Sequence, residues 1–172
     1  KYNDYESLEK IVKKENIGII KMEVMRNIPP KNKFLKKIRA LCTKKNIILI
    51  FDECTTGFRE TFGGLHKKFK VNPDIATFGK ALGNGYAITA VIGKESLMKY
   101  AETSFISSTF WTERIGPTAA LKTLEVMERE KSWKKITELG KYVRNQWKKI
   151  SRKNKIQIKI SGILALNSFT FN

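Results

Sequence analysis

IILIFDECTTGFRETFGGLHKKFKVNPDIATFGKALGNG, from Ile47 to Gly85, decides how the chain is to be read. It holds two short apolar runs, Ile47–Phe51 and Ile75–Phe78. The first shows no alternation with polar residues, so both of its faces should be covered, as for a parallel strand inside an α/β sheet. The first run ends on Asp52–Glu53 and the second, after Gly79, on Lys80. In open α/β sheets the ligand crevice lies beyond the carboxyl ends of the strands. Two readings of Asp52 and Lys80 stand side by side. They are a carboxylate and an amine aimed into one crevice, or they form a structural ion pair and loop cap.

Working outward, Tyr5, Leu8, Ile11 and Val12 recur at helical spacing within Tyr2–Asn16, and Ile17–Met25 reads as a strand ending near Glu23. Pro29-Pro30 breaks the chain before a helix over Asn32–Lys45, whose apolar stripe is Phe34, Leu35, Ile38, Leu41 and Cys42. Thr55–Lys70 is a glycine-containing loop too long for a simple turn. After Lys80 come the Gly83-Asn84-Gly85 turn, a buried strand over Ala87–Ile92, a short helix over Ser96–Ala101 and a strand or extended arm over Ser104–Phe110. Arg114–Glu130 reads as a helix with Ile115, Ala119, Ala120, Leu124 and Met127 on one side and Pro117 in its first turn. A further helix over Ser132–Lys153 carries Trp133, Ile136, Leu139, Val143, Trp147 and Ile150. Ile156–Phe171 is extended and alternating, with Gly162 dividing it.

The chain has 172 residues, 41% of them hydrophobic, enough for one domain with a real core. It opens on Lys1 rather than methionine and closes inside an apparent strand, so we expect an internal piece of a longer protein. No apolar run reaches the roughly 20 residues that span a bilayer. The net charge is +18, from 34 Lys and Arg against 16 Asp and Glu. The lysines fall on helix faces and loops without zinc-finger spacing, an RNP-like aromatic pattern or an arginine-rich arm, so a solvated surface is expected rather than specific nucleic-acid binding. Cys42 and Cys54 make neither a disulfide framework nor a metal spacing, which suits a reducing, cytoplasmic setting.

Several motif readings fail on particular residues. Gly79-Lys80 looks like the end of a P-loop, but Asp74 stands where its first glycine would be and Ala81 where its Ser or Thr would be. Gly83-Asn84-Gly85 begins like a dinucleotide fingerprint, yet Ile88 takes the third glycine position. His66 is the sole histidine, so a histidine-built metal site is excluded. A Ser-His-Asp triad would need His66, which sits in a lysine-rich loop with no nucleophile elbow.

IILIFDECTTGFR, DIATFGKALGNGYAITAVIGK and the ordered pair STF…AALKTLEVME resemble the class III pyridoxal-phosphate aminotransferases, particularly the glutamate-1-semialdehyde aminomutase branch. The resemblance runs over nearly the whole chain, including ISGILALNSFTF, which is similar to the first strand of that family's C-terminal domain. It implies an α/β fold, part of a fold-type I large domain with a mixed, mostly parallel sheet over residues 1–153, and the start of a small domain over 154–172. It further implies a homodimer acting on small-molecule amino donors and acceptors.

The resemblance also assigns roles. Lys80 would form the imine with pyridoxal phosphate and then shuttle a proton, its pKa lowered by burial and by the cofactor. Asp52 would partner the ring nitrogen, keeping it protonated so that the ring accepts electrons. Cys54 would lie against the ring face, Thr55 would bond the phenolic oxygen, and Thr109 would reach a phosphate in the neighbouring subunit. The spacing from Thr109 to Lys122–Leu124 matches the family. Glu23 and Arg59 would support the active-site loops.

The chain departs from the family at Phe110–Gly116, FWTERIG, where the aminomutases have a shorter Ser-Gly-Asn-Pro signature. It departs again at VMRNIPP after Glu23, several residues shorter than the family's loop, where the resemblance would let Asn27 replace an asparagine near the cofactor's phenolic oxygen. The family's phosphate-binding turn, its ring-stacking aromatic residue and most of its C-terminal domain have no counterpart here. The isolated chain is therefore expected to be inactive, and a non-catalytic dimerisation relic is the other reading.

Overall fold

Strand β2 (Ile48–Asp52) has a partner on both sides. The structure, a computed structural model, describes residues 1–171, so Asn172, the last residue of the expected small-domain segment, lies outside the described residues. Strand β1 (Ile19–Glu23) and strand β3 (Ile75–Phe78) both run parallel to β2, and strand β4 (Ala90–Gly93) closes the order β1-β2-β3-β4 antiparallel to β3. The crossover from β1 to β2 is helix α2 (Phe34–Lys44), reached after helix α1 (Tyr5–Lys14) and β1.

All five residues of the α2 stripe are buried, and they pack with Ile47, Leu49 and Phe51 of the β2 segment, Val12 of α1, and Val24, Leu65, Val71 and Ile163. Asp4 caps α1 by accepting the Ser7 amide at 3.1 Å. Asp74, just before β3, ties the layers together. Its carboxylate accepts Arg39 of α2 at 2.7 Å, Lys94 after β4 at 2.6 Å and the Leu49 amide at 2.8 Å.

The strands correct two expectations. In β2, Leu49 and Phe51 are wholly buried, but Ile48, Ile50 and Asp52 are only half-buried, so cover is complete on one face alone. That second face turns polar at its carboxyl end, where Lys21, Glu23, Asp52 and Thr77 share the same pleat phase. Strand β4 begins at Ala90 rather than Ala87 and is not buried: Val91 and Ile92 are each more than half exposed. An apolar edge strand has the same local sequence as a covered one, and only its place in the sheet distinguishes them.

Short helices follow at His66–Phe69 (α3) and Glu95–Met98 (α4), then α5 (Ile115–Glu130) and α6 (Ser132–Lys153). The stripes on α5 and α6 are only partly used. Ala120 is buried, whereas Ile115, Leu139 and Ile150 stand exposed. Residues 104–110 form no strand and carry the exposed Phe105. The last segment forms an antiparallel pair, β5 (Ile158–Ser161) and β6 (Ser168–Phe171), with Gly162 at φ 88° between them. Arg144 and Asn167 join it to α6: Arg144 Nε donates to Asn167 Oδ1 at 2.7 Å, and Asn167 Nδ2 donates to the Gly140 carbonyl at 2.7 Å. No described helix is long and apolar enough to cross a membrane.

Candidate active site

The parallel register sets Glu23, Asp52 and Thr77 side by side at the carboxyl ends of β1, β2 and β3. Asp52 Oδ1 receives the Cys54 amide and the Thr77 hydroxyl, each at 3.2 Å. Its Oδ2 meets Lys21 Nζ at 3.1 Å. Partial burial pushes the Asp52 carboxyl up, but the Cys54 amide and the Lys21 ammonium outweigh it, and the group is held below the ordinary carboxylate value.

Glu53, the next residue, faces the other way and is wholly buried. It accepts the Thr56 hydroxyl and the His66 amide, the latter at 2.9 Å, and meets His66 Nδ1 at 2.9 Å. This clamp folds the Thr55–Lys70 loop back onto the strand end, with α3 inside the loop. From the sequence, Asp52 and Glu53 together close the first apolar run, and Asp52 alone is paired with Lys80 in the crevice. The period-2 alternation of a strand, carried one residue further, sends them to opposite sides.

Gly79 follows β3 in extended conformation, and Lys80 then takes φ 44°, a left-handed value uncommon for a residue with a side chain. The turn that follows has Asn84 at φ 47° and Gly85 at φ 107°, closed by the Tyr86 amide on the Gly83 carbonyl at 3.0 Å. Positive φ at both central residues is what an Asn-Gly turn supplies. Lys80 Nζ donates to Thr55 Oγ1 at 2.8 Å. The expected burial of Lys80 is not found; its side chain is exposed.

Cys54 is half-buried, with Sγ 3.8 Å from the Thr77 hydroxyl, and a Cβ placed on Gly79 would stand 3.6 Å from that sulfur. Asp52, Cys54, Thr55 and Lys80 are thus brought to one place, with Thr77 linking the first two. Thr109 is not among them, since it lies on an exposed arm before α5. Arg59 Nε donates to the Thr55 carbonyl at 2.8 Å, and burial lowers its guanidinium pKa. Asn27 is exposed, and its carbonyl accepts the Gly162 amide at 3.3 Å. A groove of about 770 Å³ lies elsewhere, between Gly83–Tyr86 and α5, with Ile115, Val126 and Met127 on its apolar wall.

The pyridoxal phosphate implied by the resemblance fits the donor set of these residues. A primary amine and an ionised carboxylate stand at the carboxyl ends of neighbouring parallel strands, with the Cys54 thiol beside Thr77 and Gly79. Three groups escaped sequence reasoning: Lys21, Thr77 and the His66–Glu53 clamp. A lysine inside an apolar strand was the one visible signal, at Lys21.

A mixed, mostly parallel sheet with a carboxylate and a lysine following adjacent strands defines the fold-type I transferase class. A family model for aminotransferase class-III matches residues 8–169, and the chain belongs to that family. It is 36% identical over 179 residues to the 3-aminobutyryl-CoA aminotransferase of Cloacimonas acidaminovorans (strain Evry), covering 99% of this chain and 43% of that protein. It is 43% identical over 136 residues to the glutamate-1-semialdehyde 2,1-aminomutase of Sulfolobus acidocaldarius, covering 75% of this chain and 32% of that one. Among solved structures, the FumI protein of Sphingopyxis sp. MTA144, in its PLP internal aldimine form, superposes with a TM-score of 0.95 at 22% identity, over 100% of this chain and 44% of its own. The chain spans less than half the length of these proteins.

Proposed function

We propose that the protein containing this chain is a pyridoxal-phosphate-dependent enzyme that moves amino groups, of the aminotransferase or aminomutase kind. The observation that carries this reading is the placement of the Asp52 carboxylate and the Lys80 amine after adjacent parallel strands, with Thr55 and Thr77 as their hydroxyl partners.

When bound, pyridoxal phosphate supplies an aldehyde and an electron-accepting ring. Lys80 would supply the primary amine that holds the cofactor's aldehyde carbon, and its Nζ would be the atom that holds and moves the proton once freed. The Thr55 hydroxyl fixes where that amine waits. Asp52, kept ionised by the Cys54 amide and Lys21, presents a carboxylate to the ring nitrogen. Cys54 would lie against the ring face. Glu53, His66 and Arg59 hold the loop that carries Thr55, which is a structural role. Thr109, on its exposed arm, would serve a phosphate in a second subunit, which would make the working unit a homodimer. Residues 1–153 belong to the cofactor-binding large domain and 154–172 begin the small domain. The two free thiols agree with a cytoplasmic setting.

The relatives include both an aminotransferase and an aminomutase, and the Trp111–Gly116 segment is one place on this chain where the choice between them would be made. The test uses the full-length protein. Added pyridoxal phosphate should give the absorbance of the lysine-bound cofactor near the visible edge, and Lys80→Ala should abolish both that band and turnover. A band and turnover that survive Lys80→Ala would sink the reading. Absence of any band in the unsubstituted protein would leave the non-catalytic relic.

A further inference from the structure

Lys21 follows the apolar Ile19–Ile20 in strand IIKME and shares the pleat phase of Asp52. Its ammonium stands 3.1 Å from Asp52 Oδ2. The other carboxylate oxygen, Oδ1, already receives two donors, the Cys54 amide and the Thr77 hydroxyl. An ionised carboxylate offers about two lone-pair sites on each oxygen. Oδ1 is therefore full, and a further donor must come to Oδ2, where Lys21 sits.

On the reading proposed above, that further donor is the N–H of the cofactor ring. Two positively charged donors converging on one oxygen repel each other. We propose that Lys21 is a positioning residue that holds Asp52 Oδ2 until the cofactor arrives and then competes with the ring nitrogen for it, so that Lys21 weakens cofactor retention. The side chain suits such a role. Lys21 is 59% exposed against 28% for Asp52, and its four-carbon stem can carry the ammonium out to water. An exposed pair of this kind is weak enough to be displaced.

The inference rests on the cofactor reading, and one experiment separates the two. Cofactor is stripped from the full-length protein and pyridoxal phosphate is titrated back, for the unsubstituted protein, Lys21→Met and Lys21→Arg. Lys21→Met should bind the cofactor about fivefold more tightly at low salt, the factor expected of one exposed ion pair. The gain should shrink at high salt, where such a pair is screened. Lys21→Arg, which keeps the charge, should return the affinity to the starting value or below it. Thermal midpoints of the stripped proteins confirm that each variant is folded. Equal or weaker binding by Lys21→Met overturns the role of Lys21 while leaving the cofactor reading intact. If the unsubstituted protein takes up no pyridoxal phosphate, the cofactor reading fails and this inference falls with it.

Discussion

Glu53 and His66 are locked together twice, through the His66 amide and through Nδ1, each 2.9 Å from the same carboxylate oxygen. The pair is buried, so the Thr55–Lys70 loop depends on a carboxylate turned away from the Asp52 side of the strand. Removing one partner of a buried polar pair strands the other. Glu53→Ala should cost about 3 kcal/mol of stability, whereas Asp52→Ala, at the half-exposed neighbour, should cost less than about 1 kcal/mol. Denaturant midpoints of the two variants check this; equal losses would show that the two carboxylates do not divide structure from chemistry.

Asp74 sets an acid limit on the fold. Burial pushes its carboxyl up, but the Leu49 amide, Lys94 and Arg39 bring it down from the ordinary 3.8 to about 2. Because the folded value is the lower one, its stabilisation is complete above about pH 4 and disappears as the pH falls towards 2. The contribution is about 2 kcal/mol. Asp74→Asn should lose that amount at neutral pH and show a flatter acid limb between pH 4 and 2 in chemical denaturation.

Thr55 should matter for cofactor capture more than for folding. Its hydroxyl is the acceptor for Lys80 Nζ at 2.8 Å. Thr55→Val should weaken uptake of pyridoxal phosphate about fivefold, the worth of one hydrogen bond, and Thr55→Ser should restore it. Titration of cofactor-free protein checks both, and an unaltered valine variant would remove Thr55 from the site.

Gly140 and Leu164 touch backbone to backbone. A Cβ on Gly140 would stand 1.9 Å from the Leu164 carbonyl oxygen, which has no flexible side chain to withdraw. Gly140→Ala should therefore push α6 away from the β5–β6 segment at a cost of about 2–4 kcal/mol. Amide exchange should quicken in Ile158–Phe171 while the four-stranded sheet keeps its protection.

What the residues reveal unaided follows the range of the interactions involved. The α2 stripe was legible because five apolar residues at helical spacing must share a face, and all five are buried. The strand ends carrying Asp52 and Lys80 were legible because ionisable residues closing apolar runs are locally conspicuous. The Arg39–Asp74 and Lys21–Asp52 pairs were not, since their partners lie 35 and 31 positions apart and meet only once the strands are in register. The exposure of Lys80 and of β4 was equally hidden, because exposure depends on what packs from elsewhere.

The unpaired side of β4 has a practical consequence. Among the described residues it is the last strand of its sheet, with Val91 and Ile92 both more than half exposed and the bare Phe105 following in the chain. A row of free backbone donors and acceptors flanked by apolar side chains is a template on which another extended chain can add. Purified alone, these 172 residues would be drawn towards self-association at high concentration, and their large positive charge is the main force opposing it at low salt. Raising the salt removes that opposition, so dilute, low-salt handling is the condition under which the chain stays dispersed.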